Sequence, residues 1–381
     1  MHRALAVPDM EGKNMQSLLP VLDEGKAFAE PRAQIRREAT ATERRRHTVS
    51  ALCAFPVVDP APVADFRFPP SVPVDPGEII QTAHWLCCAD GAWISATLFE
   101  ESDIGPQAPV LIVNCATGNK QSRYFDMARW WAARGWRVVT YDYRGIGMSA
   151  LPERQSKRFR LWEWGSEDMS AVVEWIQQEF TPITTVVIGH SIGSQIIQFC
   201  RALNSIDAVV FVAGQKGCWR NWCNRYRYPI WAFWHVVLPT CVGICGNFPL
   251  MRLAGCATLP RNVALDWARW GRARTFAAET ENFGHELGCP LLSISIADDQ
   301  LYGPEQAVDA LLEWYPNAQS ERLHLAPETY GIKQIGHAGL FDAVHFDRFW
   351  PLVSNWLDRR VAGPRINSLI HRRGRRAGLG P

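Results

Sequence analysis

The fold class this sequence predicts is α/β: a mostly parallel, doubly wound sheet that begins with an antiparallel hairpin and carries one long insertion. Three observations lead there. Short β-rich and helical runs alternate from residue 78 to about residue 358, and parallel strands need crossovers of helix length between them. The middle strand candidates are apolar throughout, as strands covered on both faces are. The alternation lapses for about 75 residues after "AVVFVAG" and then resumes, which marks an insertion into the sheet.

The first two runs, "EIIQTAHWLCC" and "AWISATLFEE", are separated by "ADG", a hairpin signal. "APVLIVNCATG" follows as a buried strand. Next comes a helix, "RYFDMARWWAARG", with Phe125, Ala128, Trp131 and Ala132 on one face and Gly135 as its stop. "WRVVTYDYRGIG" reads as strand and turn, "WGSEDMSAVVEWIQQEF" as helix, "ITTVVIGHS" as strand and "IGSQIIQFCRAL" as helix. After the insertion come strand "CPLLSISIADD", helix "PEQAVDALLEWY", strand "SERLHLAP" and a last helix near "FDRFWPLVSNWLDRR".

Residues 1–77 have a different texture. "REATATERRRHT" is charged, and seven prolines crowd residues 56–76, so this part reads as a loosely ordered or disordered N-terminal extension. The α/β domain is expected over 78–360, with its insertion at about 215–288, and 361–381 as a basic tail. Forty basic and 38 acidic side chains nearly cancel, so no global field favours nucleic acid. The first twenty residues contain no uninterrupted apolar stretch of signal-peptide length. The eleven cysteines are an odd number without a C-x-x-C framework, so they read as reduced thiols and a cytoplasmic location is expected. No metal cluster or phosphate loop stands out in the sequence, and no cofactor or metal is expected.

Gly189-His190-Ser191-Ile192-Gly193 fits G-x-S-x-G where a strand runs straight into a helix, the context a nucleophile elbow requires. On so sharp a turn the serine takes a strained conformation, and small residues must flank it two positions away on either side. Ser191 is the candidate nucleophile. The Ile192 N–H, at the start of the helix, is a candidate oxyanion donor. A serine hydroxyl needs a base, and the base needs an orienting carboxylate. Asp298 and Asp299 end the strand "LLSISIA", and His337 sits between the last strand and the last helix. His337 is the best placed of the histidines; His190 and His235, among others, read as packing or surface. Of the two aspartates, Asp299 is favoured as the acid because it leads "QLYGP", and Asp298 reads as turn chemistry. The second oxyanion donor is expected from "CATGNKQ", where Gly118 permits a tight turn and Asn119 supplies the N–H.

Taken together, "NCATGNKQSRYFDMARWWAARGWRVVTYDYRGIGMS", "GHSIGS", "ADDQLYGP" and "IGHAGLF" resemble the successive motifs of the α/β hydrolases. More narrowly, the chain resembles a bacterial group of predicted hydrolases related to the serine aminopeptidase and monoacylglycerol lipase branch, through "ATG", "YDYRGIG", "LPRNVALDWARW" and "IGH". The resemblance implies an α/β-hydrolase fold with an inserted lid, Ser191 as nucleophile, Asp299 as acid, His337 as base, and Asn119 with Ile192 as oxyanion donors. Two departures are visible: Thr117 stands where a histidine is common, and Ser194 where a second glycine often follows the elbow. "DYRGIGMS", with Asp142 and Arg144, reads as structural.

The function expected is ester hydrolysis through an acyl-enzyme, with a small-molecule acyl substrate. Substrate choice falls to the insertion, which carries Trp219, Trp222, Trp231 and Trp234 within "WRNWCNRYRYPIWAFWHVVLPTCVGICGNFPLM". These aromatics could line an acyl pocket, dip into a membrane interface with Arg220, Arg225 and Arg227 facing water or headgroups, or simply form a lid core. The apolar part is about 17 residues and is interrupted by His235, Pro239 and Gly243, so a hydrophobic lid is the better reading than a membrane span. A serine aminopeptidase-like amide hydrolase is the nearest rival and would call on Glu279 or Glu281. A non-catalytic binding platform is disfavoured because all three triad positions are filled.

Overall fold

A computed structural model describes residues 78–150, 158–274 and 281–361. The N-terminal extension expected over 1–77 lies outside the described residues, as does all but the first residue of the expected basic tail. Eight strands form one sheet: β1 (Ile79–Cys87), β2 (Trp93–Glu101), β3 (Val110–Asn114), β4 (Arg137–Tyr141), β5 (Thr185–His190), β6 (Ala208–Val212), β7 (Pro290–Ile296) and β8 (Gln319–Leu325). Their spatial order is β1-β2-β4-β3-β5-β6-β7-β8. β1 pairs antiparallel with β2, and β2 with β4; every other pairing is parallel. The hairpin turn is closed by the Cys88 N–H on the Ala92 carbonyl at 2.8 Å, with Gly91 at φ +82°.

Every residue of β3, β4, β5 and β6 is buried, which is why these runs lack a polar alternation. Helix α1 (Phe125–Ala132) buries Met127, Ala128, Trp131 and Ala132; Phe125, expected on that face, is only half-buried. Helix α2 (Ser170–Glu179) follows a wide π-helical turn at Trp164–Met169.

The helix expected over 192–203 differs in the structure. It is α-helical only over Ile192–Gln195, our α3, and then tightens into a 3₁₀ turn at Ile196–Phe199. The cause is a buried tyrosine. Tyr315 Oη donates to the Ser194 carbonyl at 2.6 Å and accepts the Gln198 N–H at 3.2 Å, so it takes both groups that a regular helix would pair with each other.

Between β6 and β7 run helices α4 (Arg227–Cys245) and α5 (Arg261–Arg272). α4 continues through His235, Pro239 and Gly243, the residues that break its apolar run. A π-helical turn at Phe233–Val237 lies just ahead of Pro239, and such a turn shifts the hydrogen-bond pattern where proline has no N–H to give. α4 packs on α5 through Trp234, whose indole fills the space that any side chain at Gly271 would need. α5 is anchored in turn: the buried Asp266 carboxylate accepts Arg160 Nε and Nη2, each at 2.9 Å, and the Leu161 N–H at 3.1 Å. Helices α6 (Glu305–Leu312) and α7 (Phe346–Arg360) complete the layers. All ten described cysteines are free thiols.

Candidate active site

Ser191 sits at φ +54° and ψ −116°, a region that side chains with a Cβ avoid and that is typical of strained functional turns. The turn leaves no room beside it. A Cβ at Gly189 would lie 2.7 Å from the Ser194 backbone, and one at Gly193 would collide with the Asn114 carbonyl of β3. Ser194 fits because its hydroxyl donates to the Gly189 carbonyl at 2.7 Å and because residue 214 is glycine, where a Cβ would collide with that hydroxyl. The Ser191 N–H is bound to the Val212 carbonyl at 3.0 Å. Ile192 opens α3, and a first-turn N–H has no acceptor within its own helix.

Asp299 lies just beyond the C-terminal end of β7 and is 3% exposed. Its Oδ2 accepts the His337 Nδ1–H at 2.6 Å, and its Oδ1 accepts the Tyr302 N–H at 3.3 Å. Gly303 gives the carboxylate space, since a Cβ there would approach Oδ2 to 2.7 Å. With its Nδ1 proton directed at a carboxylate, His337 keeps its lone pair on Nε2. Asp298 does more than make a turn: it accepts the Ile335 N–H at 3.0 Å and the Gly336 N–H at 3.0 Å, so it grips the loop immediately before the histidine.

A sequence model of the serine aminopeptidase family matches residues 105–233. Among solved structures, a thermostable carboxyl esterase from Bacillus coagulans superposes with a TM-score of 0.52 at 11% identity, covering 74% of this chain and 100% of that one. A hypothetical protein from Pseudomonas aeruginosa gives 0.51 at 14%, over 74% and 94%; an esterase from Pyrococcus furiosus gives 0.50 at 15%, over 74% and 92%. At these identities the likeness is one of fold. No curated protein sequence matches. The chain has the α/β-hydrolase fold, and its segment 105–233 is similar to the serine aminopeptidase family. With serine at the elbow, its coarse class is serine hydrolase.

One expected donor in this hydrolase is already engaged. The Asn119 N–H donates to the Ala116 carbonyl at 3.0 Å, because Gly118, at φ +70°, closes a tight turn that directs the next amide backward. The insertion also reaches this loop, with the Ala257 N–H on the Gly118 carbonyl at 2.7 Å and Cys256 Sγ 3.1 Å from Asn119 Oδ1. Of the two expected oxyanion donors, Ile192 is the one without a competing acceptor among the described residues.

The residue that sequence reading undervalued is His190. It is fully buried, and burial together with the nearby His337 holds its pKa well below the ordinary value, so it is neutral. Its Nε2 donates to the His337 carbonyl at 3.0 Å, which leaves Nδ1 to accept from Tyr124 Oη at 2.9 Å. Tyr124 in turn accepts the Ala116 N–H at 2.8 Å. One chain of hydrogen bonds therefore joins the loop after β3, the elbow and the histidine loop. No local pattern announces it, since its members come from four separate segments.

Proposed function

We propose that this hydrolase cleaves carboxylic esters of a small-molecule, lipophilic acyl substrate through an acyl-enzyme. The observation that carries the reading is the 2.6 Å Asp299–His337 hydrogen bond on a loop whose His337 carbonyl is bound by His190, the residue before a serine held at φ +54°. His337 Nε2 takes the Ser191 proton as Oγ attacks the carbonyl carbon, and returns it to the leaving alcohol; Asp299 steadies the imidazolium. The Ile192 N–H receives the oxyanion, a donor of a kind worth about 10²–10³ in turnover. The insertion between β6 and β7 serves as the lid, and free thiols throughout the described residues fit a reducing, cytoplasmic setting.

The test is fluorophosphonate labelling of the wild type, Ser191→Ala and His337→Ala, beside an ester panel of rising chain length. Labelling only of the wild type, with turnover rising toward medium or long acyl chains, supports the proposal; unchanged labelling of Ser191→Ala sinks it. The serine aminopeptidase match favours a second reading, amide hydrolysis. Against it, Glu281 is exposed, and Glu279 lies outside the described residues. Turnover of aminoacyl amides without ester hydrolysis would install that reading instead.

A further inference from the structure

Helix α4 is nineteen residues long and apolar enough to cross a membrane by length and composition, yet only 17% of its apolar stretch is buried against the protein. Its inner stripe is short: Trp234, Leu238 and Val242 are buried at every fourth position, and the Val242 carbonyl is held by Arg261 at 3.2 Å. The outer side is apolar and open to solvent, with Val236 51%, Val237 44% and Ile244 81% exposed, and Tyr228 at the N-terminal end 74% exposed. A patch of this kind on a water-soluble surface calls for a partner.

The charge around it says which partner. From residue 208 to residue 265 the chain contains no Asp or Glu, but it contains Lys216, Arg220, Arg225, Arg227, Arg252 and Arg261. Two of these, Arg225 just before α4 and Arg252 just after it, are exposed. An uncharged outward face flanked by cations and free of carboxylates suits a negatively charged lipid surface, where the apolar side chains enter the acyl boundary and the arginines meet headgroups. A span through the bilayer does not suit it, because the Trp234–Leu238–Val242 stripe is committed to the protein. We infer that α4 seats the protein flat on anionic membranes through Val236, Val237 and Ile244, with Arg225 and Arg252 as the electrostatic contacts. The inference is independent of which acyl bond is cleaved.

The experiment is flotation of the full-length protein with vesicles of phosphatidylcholine alone and of phosphatidylcholine mixed with phosphatidylglycerol. Expected is co-flotation with the mixed vesicles, weakened by added salt, released by alkaline carbonate, and reduced at least about tenfold by Ile244→Glu. Arg225→Glu with Arg252→Glu should flatten the salt dependence. Thermal unfolding midpoints serve as the fold control, so that failure here is separable from failure of the esterase reading; Ile244→Ser replaces the glutamate variant if the latter misfolds. Absence of flotation with the mixed vesicles overturns the inference. So does flotation indifferent to Ile244, retention after carbonate, or a self-association lost in Ile244→Glu while vesicles are ignored, which would make a second copy the occupant.

Discussion

Ser194 and Gly214 share one small volume beside the elbow. The serine hydroxyl occupies the space that a Cβ at residue 214 would need, so the departure from a second elbow glycine is compensated one strand away. A double-mutant cycle should expose this. Gly214→Ala alone is expected to destabilise by about 1–3 kcal/mol through overpacking, and Ser194→Gly introduced with it should recover much of that loss. Additive losses in urea unfolding would mean that the two positions do not compete. Ser191 and Gly189 were legible in the sequence because their constraint is local: a fixed spacing around one strained turn. The Ser194–Gly214 pairing was not, because it links neighbours in space that lie twenty positions apart.

Among elements, the loops at the strand ends hold the candidate site, and the sequence shows their residues but not the bonds between them. The strands declared themselves through continuous apolar runs, and their order of chemistry, serine then aspartate then histidine, followed the chain. What sequence could not supply was the hydrogen bonding between loops. The amide of Asn119 looked free because nothing local shows that Gly118 folds it back onto Ala116. The helix after the elbow looked regular because the tyrosine that interrupts it lies 121 positions from Ser194. Asp298 looked like punctuation, yet it fixes the histidine loop through two backbone amides. Asp298→Ala should therefore lower kcat at least about tenfold with little change in KM, since the base is misplaced while the binding surface is untouched. Faster hydrogen exchange at Ile335 and Gly336 would accompany it; unaltered exchange with full activity would return Asp298 to a turn residue.

At the scale of the whole molecule, a buried neutral histidine ties stability to pH. The folded-state pKa of His190 lies well below the ordinary 6.5, so below that pH the unfolded chain takes up a proton that the native protein refuses. Stability is thus full above about pH 6.5 and declines as pH falls toward the folded value, by up to about 1.4 kcal/mol per pH unit for this one site. Urea unfolding of the wild type and His190→Gln between about pH 7 and about pH 5 measures it: the variant should show the shallower slope, and equal slopes would remove His190 from the account. The bond from His190 to the His337 carbonyl spans 147 positions. It follows that, on the proposed mechanism, a growing polypeptide makes the nucleophile Ser191 well before the base His337. On that mechanism, Ser191 stays unreactive until the segment carrying His337 has been made and has folded against the elbow.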